Sequence, residues 1–285
     1  MKSHKDISFS VEIINILDTI ERSNSRKKDN ISFNNNIYEF RNKMMKLERF
    51  KKNSNQMIPK WIFYEIFSNF NKDFINNDIL WENNIVSQIK NNPFPSIYAN
   101  IEQFKERYRN IFVDNFYFLL LTLINCPRCN NLLNIDIGVS SLFSLDGNIS
   151  SNVSSLIERE LFSDDNNLYY NNNYYCSICN INTFGKSRKK FFTTPQFLLI
   201  DFYGEKKTKK YLDDEINLTP YSLENEGPKK YALFAFIYED QNSDYIAYIK
   251  NEFFWMKYTK DTRVEPYNIS SSDTFCPHIA IYKGI

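Results

Sequence analysis

Four cysteines form the most specific chemical pattern in this chain. Cys126-Pro-Arg-Cys129 and Cys176-Ser-Ile-Cys179 are two CxxC pairs with 46 residues between them. A CxxC turn lets two thiolates reach one ion, and a second such turn completes a tetrahedral set of four sulfurs. Zinc suits that set, because it gains four soft ligands without redox chemistry. Four thiolates leave no coordination position for water, so the ion, Zn2+, would be structural. Paired disulfides, a redox CxxC and coincidence compete with this reading. A redox motif does not explain two pairs. Disulfides fit poorly with an N-terminus, MKSHKDISFS, that has no apolar signal segment.

Other chemistries are excluded by count. The six glycines sit at 138, 147, 185, 204, 227 and 284, no two closer than nine positions. GxGxxG, the GxxxxGK[ST] phosphate loop and the GxSxG nucleophile elbow are therefore impossible. The only histidines are His4 and His278, so HExxH is absent and any histidine-based triad must use one of these two. With 35 basic and 34 acidic residues, affinity for a polyanion through bulk charge is not expected. The apolar run 116–124 (FYFLLLTLI) is about half the roughly 20 residues of a spanning helix. These features read as a cytoplasmic or nuclear protein with no membrane contact.

The elements that must position the cysteines change character along the chain. Residues 7–21 carry Ile7, Val11, Ile14, Leu17 and Ile20 at helical spacing. Helices are also expected over 37–50, from Pro59, and over 78–90, before the breaker NNPFPS at 91–96. Strands are expected over 116–125 and 132–145, then a short helix over 152–162 capped by Asn152, then a loop over 164–173. Further strands are expected over 191–203, 231–239, 243–250, 253–258 and 278–283. Each CxxC would then follow a strand and sit at a hairpin tip. The order is a helical part, a cysteine-bearing β-insert and a β-rich part, an α+β protein.

That order resembles the ubiquitin-specific protease family of deubiquitinases. The likeness lies in NFYFLLLTLINCPRC, NVSSLIERELF, YYCSICN with KSRKKFFTTPQFLLIDF, and KKYALFAFIYEDQNSDYIAYIKNEFFWMKYTKDTRV followed by PHIAIYKG, over about 115–285. It implies the family's papain-type fold. A helical thumb would cover 1–115, zinc-bearing fingers 116–190 and a β-rich palm 191–285, together one domain. It also implies that Cys126, Cys129, Cys176 and Cys179 hold the finger zinc.

The departures from the family pattern bear on chemistry. Active members carry a nucleophilic cysteine at the start of the first thumb helix. Here no cysteine precedes Cys126, and Ser8 or a neighbour stands at that place. The family's base histidine comes just before a Tyr-x-Ala-Tyr strand. Here Asp244 precedes Tyr245-Ile246-Ala247-Tyr248. The carboxylate that orients the histidine follows a tryptophan by four or five positions. After Trp255 those positions hold Thr259 and Lys260, and Asp261 matches only with a one-residue shift. A serine needs a base of near-neutral pKa, and an aspartate ordinarily titrates near about 4. His278 reads as a structural residue of a half-buried strand, His4 as part of a frayed terminus, and Cys276 as an ordinary small side chain.

The resemblance therefore implies a pseudoenzyme: a protein-interaction scaffold, or a binder of ubiquitin or a ubiquitin-like fold. Two kinds of inactive family member frame it, one in the spliceosomal tri-snRNP and one that scaffolds a poly(A)-nuclease complex. The thumb run IYEFRNKMMKLERF…NQMIPKWIFYEIF favours the first. The alternatives are an active cysteine deubiquitinase and a zinc-ribbon RNA-binding protein. The latter would use Lys186, Arg188, Lys189 and Lys190 with Lys206, Lys207, Lys209 and Lys210. Without aromatic interleaving, that second group of lysines reads as a solvated loop and direct nucleic-acid contact is not expected.

Overall fold

The computed structural model describes residues 115–162, 174–204, 208–223, 227–240, 244–251, 254–259, 264–269 and 273–285. All of them belong to the second of two compact units, Asp78–Ile285; the first is Met1–Asn77. The helices expected over 7–21, 37–50 and 78–90, the helix from Pro59, and the loop 164–173 lie outside the described residues.

The described chain begins with β1 (Phe118–Asn125), β2 (Leu132–Ser140) and β3 (Phe143–Asp146), followed by helix α1 (Val153–Phe162). The short strands β4 (Tyr174–Cys176) and β5 (Ile181–Thr183) lead to β6 (Lys186–Thr193) and β7 (Phe197–Tyr203). Then come β8 (Glu215–Asn217), β9 (Lys230–Glu239), β10 (Tyr245–Lys250), β11 (Trp255–Tyr258), β12 (Val264–Tyr267) and β13 (Pro277–Gly284).

Three sheets result. The finger sheet has the order β2-β1-β6 and the palm sheet β12-β11-β10-β9-β13-β7-β3, while β4 and β5 form a separate hairpin. β8 lies off the main palm order and pairs with β9. Neighbours are antiparallel except β3 and β7, which run parallel with Phe143 opposite Ile200. The chain passes directly from the finger sheet to the palm sheet twice, from β2 into β3 and from β6 into β7, and returns once through α1, β4 and β5.

The expected strand over 132–145 is broken at the first of these crossings. Leu142 N–H donates to Ser140 Oγ at 3.1 Å, and that hydroxyl donates to Leu142 O at 2.8 Å. This local turn takes the place of ladder bonds and lets the chain change sheets. The strand expected from 191 begins earlier, at Lys186, because β1 pairs along all of KSRKKFFT. Strands β8 and β12 had no sequence signal, being only three and four residues long.

The core explains why these elements hold. In α1, Val153, Leu156, Ile157 and Leu161 are buried, the spacing of one helix face. Asn152 caps it as expected: Ser155 N–H donates to Asn152 Oδ1 at 3.0 Å, and Asp213 Oδ2 accepts from Ser154 N–H at 2.7 Å. Phe118, Phe143 and Phe191 meet with ring centroids 5.3 to 6.1 Å apart, tying the finger base to the palm. In the palm, Phe236 stacks on Tyr248 at 5.0 Å and meets Trp255 at 5.6 Å and Phe275 at 4.7 Å.

Candidate functional site

The two CxxC pairs sit at hairpin tips, as their spacing predicts. Cys126–Cys129 forms the turn between β1 and β2, and Cys176–Cys179 the turn between β4 and β5. Each turn closes on an asparagine with positive φ: Asn130 at 56° and Asn180 at 52°. Asparagine is one of the few residues other than glycine that visit this left-handed region readily. In the first turn Cys126 N–H donates to Asn131 O at 2.8 Å and Asn130 N–H to Cys126 O at 2.9 Å. Asn125 Nδ2 donates to Asn130 O at 3.0 Å. In the second, the Tyr175 hydroxyl donates to Asn180 Oδ1. These asparagines were missed in the sequence. The signal was present, since both motifs read CxxCN.

The turns bring all four sulfurs within 4.8 Å of one another. The close pairs cross between hairpins, Cys126 to Cys179 at 3.9 Å and Cys129 to Cys176 at 3.5 Å. A disulfide would need about 2.05 Å, and all four are free thiols. A tetrahedral ion with metal–sulfur bonds of about 2.3 Å puts its sulfurs about 3.8 Å apart, so the donor set fits a four-coordinate metal. Burial is graded, with Cys126 and Cys176 buried and Cys129 and Cys179 half-buried. The backbone N–H of Cys129 points at the Cys126 sulfur and holds that thiol down to about 7. Contact with the Cys129 thiol pushes Cys179 up to about 12. Crowded thiols ionise as a set, each new thiolate opposing the next, and a cation relieves that repulsion.

Gly185 sets the approach of the two hairpins. A Cβ there would lie 2.0 Å from Ile124 Cγ2 and 3.6 Å from Tyr174 Cδ2. Ile124 is the buried residue two before Cys126, and Tyr174 opens the second hairpin. Only a residue without a side chain lets the strands meet there.

Two of the positions matched to the family's catalytic residues, Asp244 and Thr259, fall at one end of the palm sheet. Asp244 stands immediately before β10, in a turn where Asp244 N–H donates to Asp240 Oδ1 and Asp240 N–H to Asp244 O, both at 2.9 Å. Tyr258 of β11 pairs with Ala247 of β10, which brings Thr259, the next residue, to the same end. Ser8 and Asp261 lie outside the described residues. His278 is 8% exposed in β13, consistent with the structural role expected of it. It is not solitary: its Nε2 lies 3.1 Å from Glu239 Oε2, and its ring meets Tyr245 edge-on at 5.1 Å. An imidazole–carboxylate pair thus stands at the sheet end that Asp244 occupies. Its partner strands are distant in sequence, and no local pattern announced it.

The basic stretches are partly internal. Lys210, expected in a solvated loop, is 1% exposed and donates from Nζ to Gly147 O at 2.6 Å and to Thr208 O at 3.1 Å. Burial lowers its pKa, against the opposing field of Cys276 and Asp146. Lys189 pairs with Glu160, and Lys190 donates to Pro220 O at 2.6 Å. Lys206 and Lys207 lie outside the described residues. Among the described residues, no helix is long and apolar enough to cross a membrane.

Comparison with known proteins bears on the family. No curated protein matches the chain. A chain of the yeast SAGA DUB module with an Sgf73 mutant shares 16% identity over 79% of this chain and 49% of that one, with a TM-score of 0.55. A chain of the SAGA DUB module Ubp8/Sgf11/Sus1/Sgf73 bound to monoubiquitin shares 16% over 68% and 47%, with a TM-score of 0.50. A chain of that module bound to ubiquitin aldehyde shares 17% over 66% and 48%, also at 0.50. At such identities the likeness is one of fold, and this chain spans about half the length of those chains. The sequence profile of the ubiquitin carboxyl-terminal hydrolases matches residues 7–274, nearly the whole chain, and the protein belongs to that family.

Proposed function

We propose that this family member is catalytically silent and serves as a protein-interaction scaffold that contacts ubiquitin or a ubiquitin-like fold. Its finger holds one structural zinc on Cys126, Cys129, Cys176 and Cys179. The thumb would end near 115 and the finger near 190, with β3 inside that span contributed to the palm sheet. The observation that carries the reading is Asp244 at the head of β10, where the family resemblance puts the general base. An aspartate is ordinarily a much weaker base than an imidazole for taking a proton from a serine or cysteine. The sequence also has no cysteine before Cys126, and four of its five cysteines converge on one site. Ubiquitin as partner is supported by similar folds solved with monoubiquitin and ubiquitin aldehyde. A multi-subunit setting, with a spliceosomal complex as the favoured case, is supported by the thumb resemblance.

A ubiquitin carrying a C-terminal fluorogenic amide tests both halves of the proposal in one cuvette. The anisotropy of a second, permanently fluorescent dye at the ubiquitin N-terminus should rise and saturate with added zinc-loaded protein, while fluorophore released from the amide stays at the uncatalysed level. Release above that level overturns the silent reading. The His278–Glu239 pair favours one second reading, an active hydrolase with a relocated base. Release that disappears in His278→Ala would establish it.

A further inference from the structure

The palm contains a seam unrelated to the cysteine cluster. β8 and β10 both pair with the same edge of β9, Glu215 opposite Ala232 and Ile249 opposite Ala235. Leu233 N–H still donates to Asp214 O, at 2.8 Å, so the backbone is satisfied across the join. The side chains do not fill it. A cavity of about 710 Å³ opens there, within the roughly 300–1,000 Å³ range of ligand pockets.

Its lining combines two chemistries. Trp255, 8% exposed, gives it an aromatic surface, and the exposed rings of Phe254 and Tyr267 extend that surface outward. Asp214 and Glu215 are exposed on its border, and neither makes an ion pair among the described residues. The Lys250 ammonium lies 5.8 Å from the Trp255 ring centroid, so the indole already attracts a cation supplied by the chain itself. Two carboxylates against one ammonium leave the border net negative.

We propose that this seam is a docking site for a basic peptide segment, which lays an arginine side chain on the aromatic surface and pairs its guanidinium with Asp214 and Glu215. Arginine suits the site better than lysine. Its planar group stacks on rings and presents forked donors to carboxylates. Lys250 would be the internal occupant that the incoming arginine replaces at Trp255. The site is independent of the degenerate catalytic end. Asp244 and Lys250 lie at opposite ends of β10, roughly 20 Å apart at about 3.3 Å per residue.

The test uses the full zinc-loaded chain and a labelled peptide of alternating arginine and alanine, with an alternating glutamate–alanine peptide as control. The arginine peptide should bind saturably by anisotropy and the glutamate peptide should not. Affinity should fall about tenfold or more in the double variant Asp214→Asn, Glu215→Gln. It should fall several-fold in Phe254→Ala and rise several-fold in Lys250→Met, which frees the Trp255 face. Asp214, Glu215, Lys250 and Phe254 are exposed, and unchanged thermal melting verifies that the variants fold. No saturation at millimolar peptide overturns the proposal, and so does equal affinity in the double variant. Loss in that variant with no change in Phe254→Ala also overturns it, because the contact would then be diffuse attraction and not a pocket.

Discussion

Phe236 in the palm meets four other rings, those of Tyr238, Tyr248, Trp255 and Phe275. At the finger tip, Tyr175 and Phe184 are exposed and Ile178 is 67% exposed. The palm buries side chains from many distant strands. The second finger hairpin has three-residue strands and no comparable core. A two-stranded hairpin that short is not stable alone in water. Four sulfurs stand where the palm has aromatic rings. Both regions are mainly antiparallel β-structure, but the β4–β5 hairpin is held by a point attachment and the palm by a volume, while the β2-β1-β6 sheet keeps a small core of its own at Leu119, Leu121, Ile135 and Phe192. Losing the attachment should therefore unfold one region locally, and hollowing the volume should weaken the whole unit.

Removing the attachment should have the largest effect. Cys176→Ser should lower bound zinc from one ion per chain to none that survives dialysis. Structural zinc contributes on the order of 10 kcal/mol in small zinc-binding peptides, so the amides of the short β4–β5 hairpin should exchange faster than in the zinc-loaded protein. Palm amides around Phe236 should stay protected, and equal loss of protection in both regions would break the comparison.

Hollowing the palm comes next. Phe236→Ala should destabilise the unit by about 3–5 kcal/mol in denaturant unfolding. It should leave zinc content unchanged in whatever fraction remains folded. A loss of metal from the folded fraction would mean that the finger depends on palm packing.

The smallest effect probes the contact between the hairpins. Gly185→Ala should cost about 1–3 kcal/mol by overpacking against Ile124. Its signature should be weaker zinc retention against a chelator, alongside a drop of a few degrees in the melting midpoint. A shift in melting without a change in zinc retention would show that Gly185 serves the sheet and not the metal site.

What could be read in the sequence follows the same division. The cysteine site was legible because a CxxC turn is local and its spacing carries the geometry. Even there Asn130 and Asn180 went unread, since an asparagine that follows a cysteine announces positive φ only when both turns are laid side by side. In the palm the long strands β7, β9 and β13 were legible from their apolar runs. Strand β6 was half-hidden by KSRKK, whose charges look like a loop until β1 pairs with them. Lys210 and the His278–Glu239 pair were not legible at all. Lys210 reaches Gly147 O and His278 reaches Glu239 across more than 30 positions, brought close only by the sheet order.

The fold is proposed to persist here without the chemistry. The most direct measurement is the intact mass of the zinc-loaded protein after incubation with ubiquitin bearing a C-terminal thiol-reactive electrophile. An unmodified chain is expected, with Cys126, Cys129, Cys176 and Cys179 protected by the metal they are proposed to hold. A mass increase of one ubiquitin, mapped to a single cysteine and abolished by His278→Ala, would contradict that expectation.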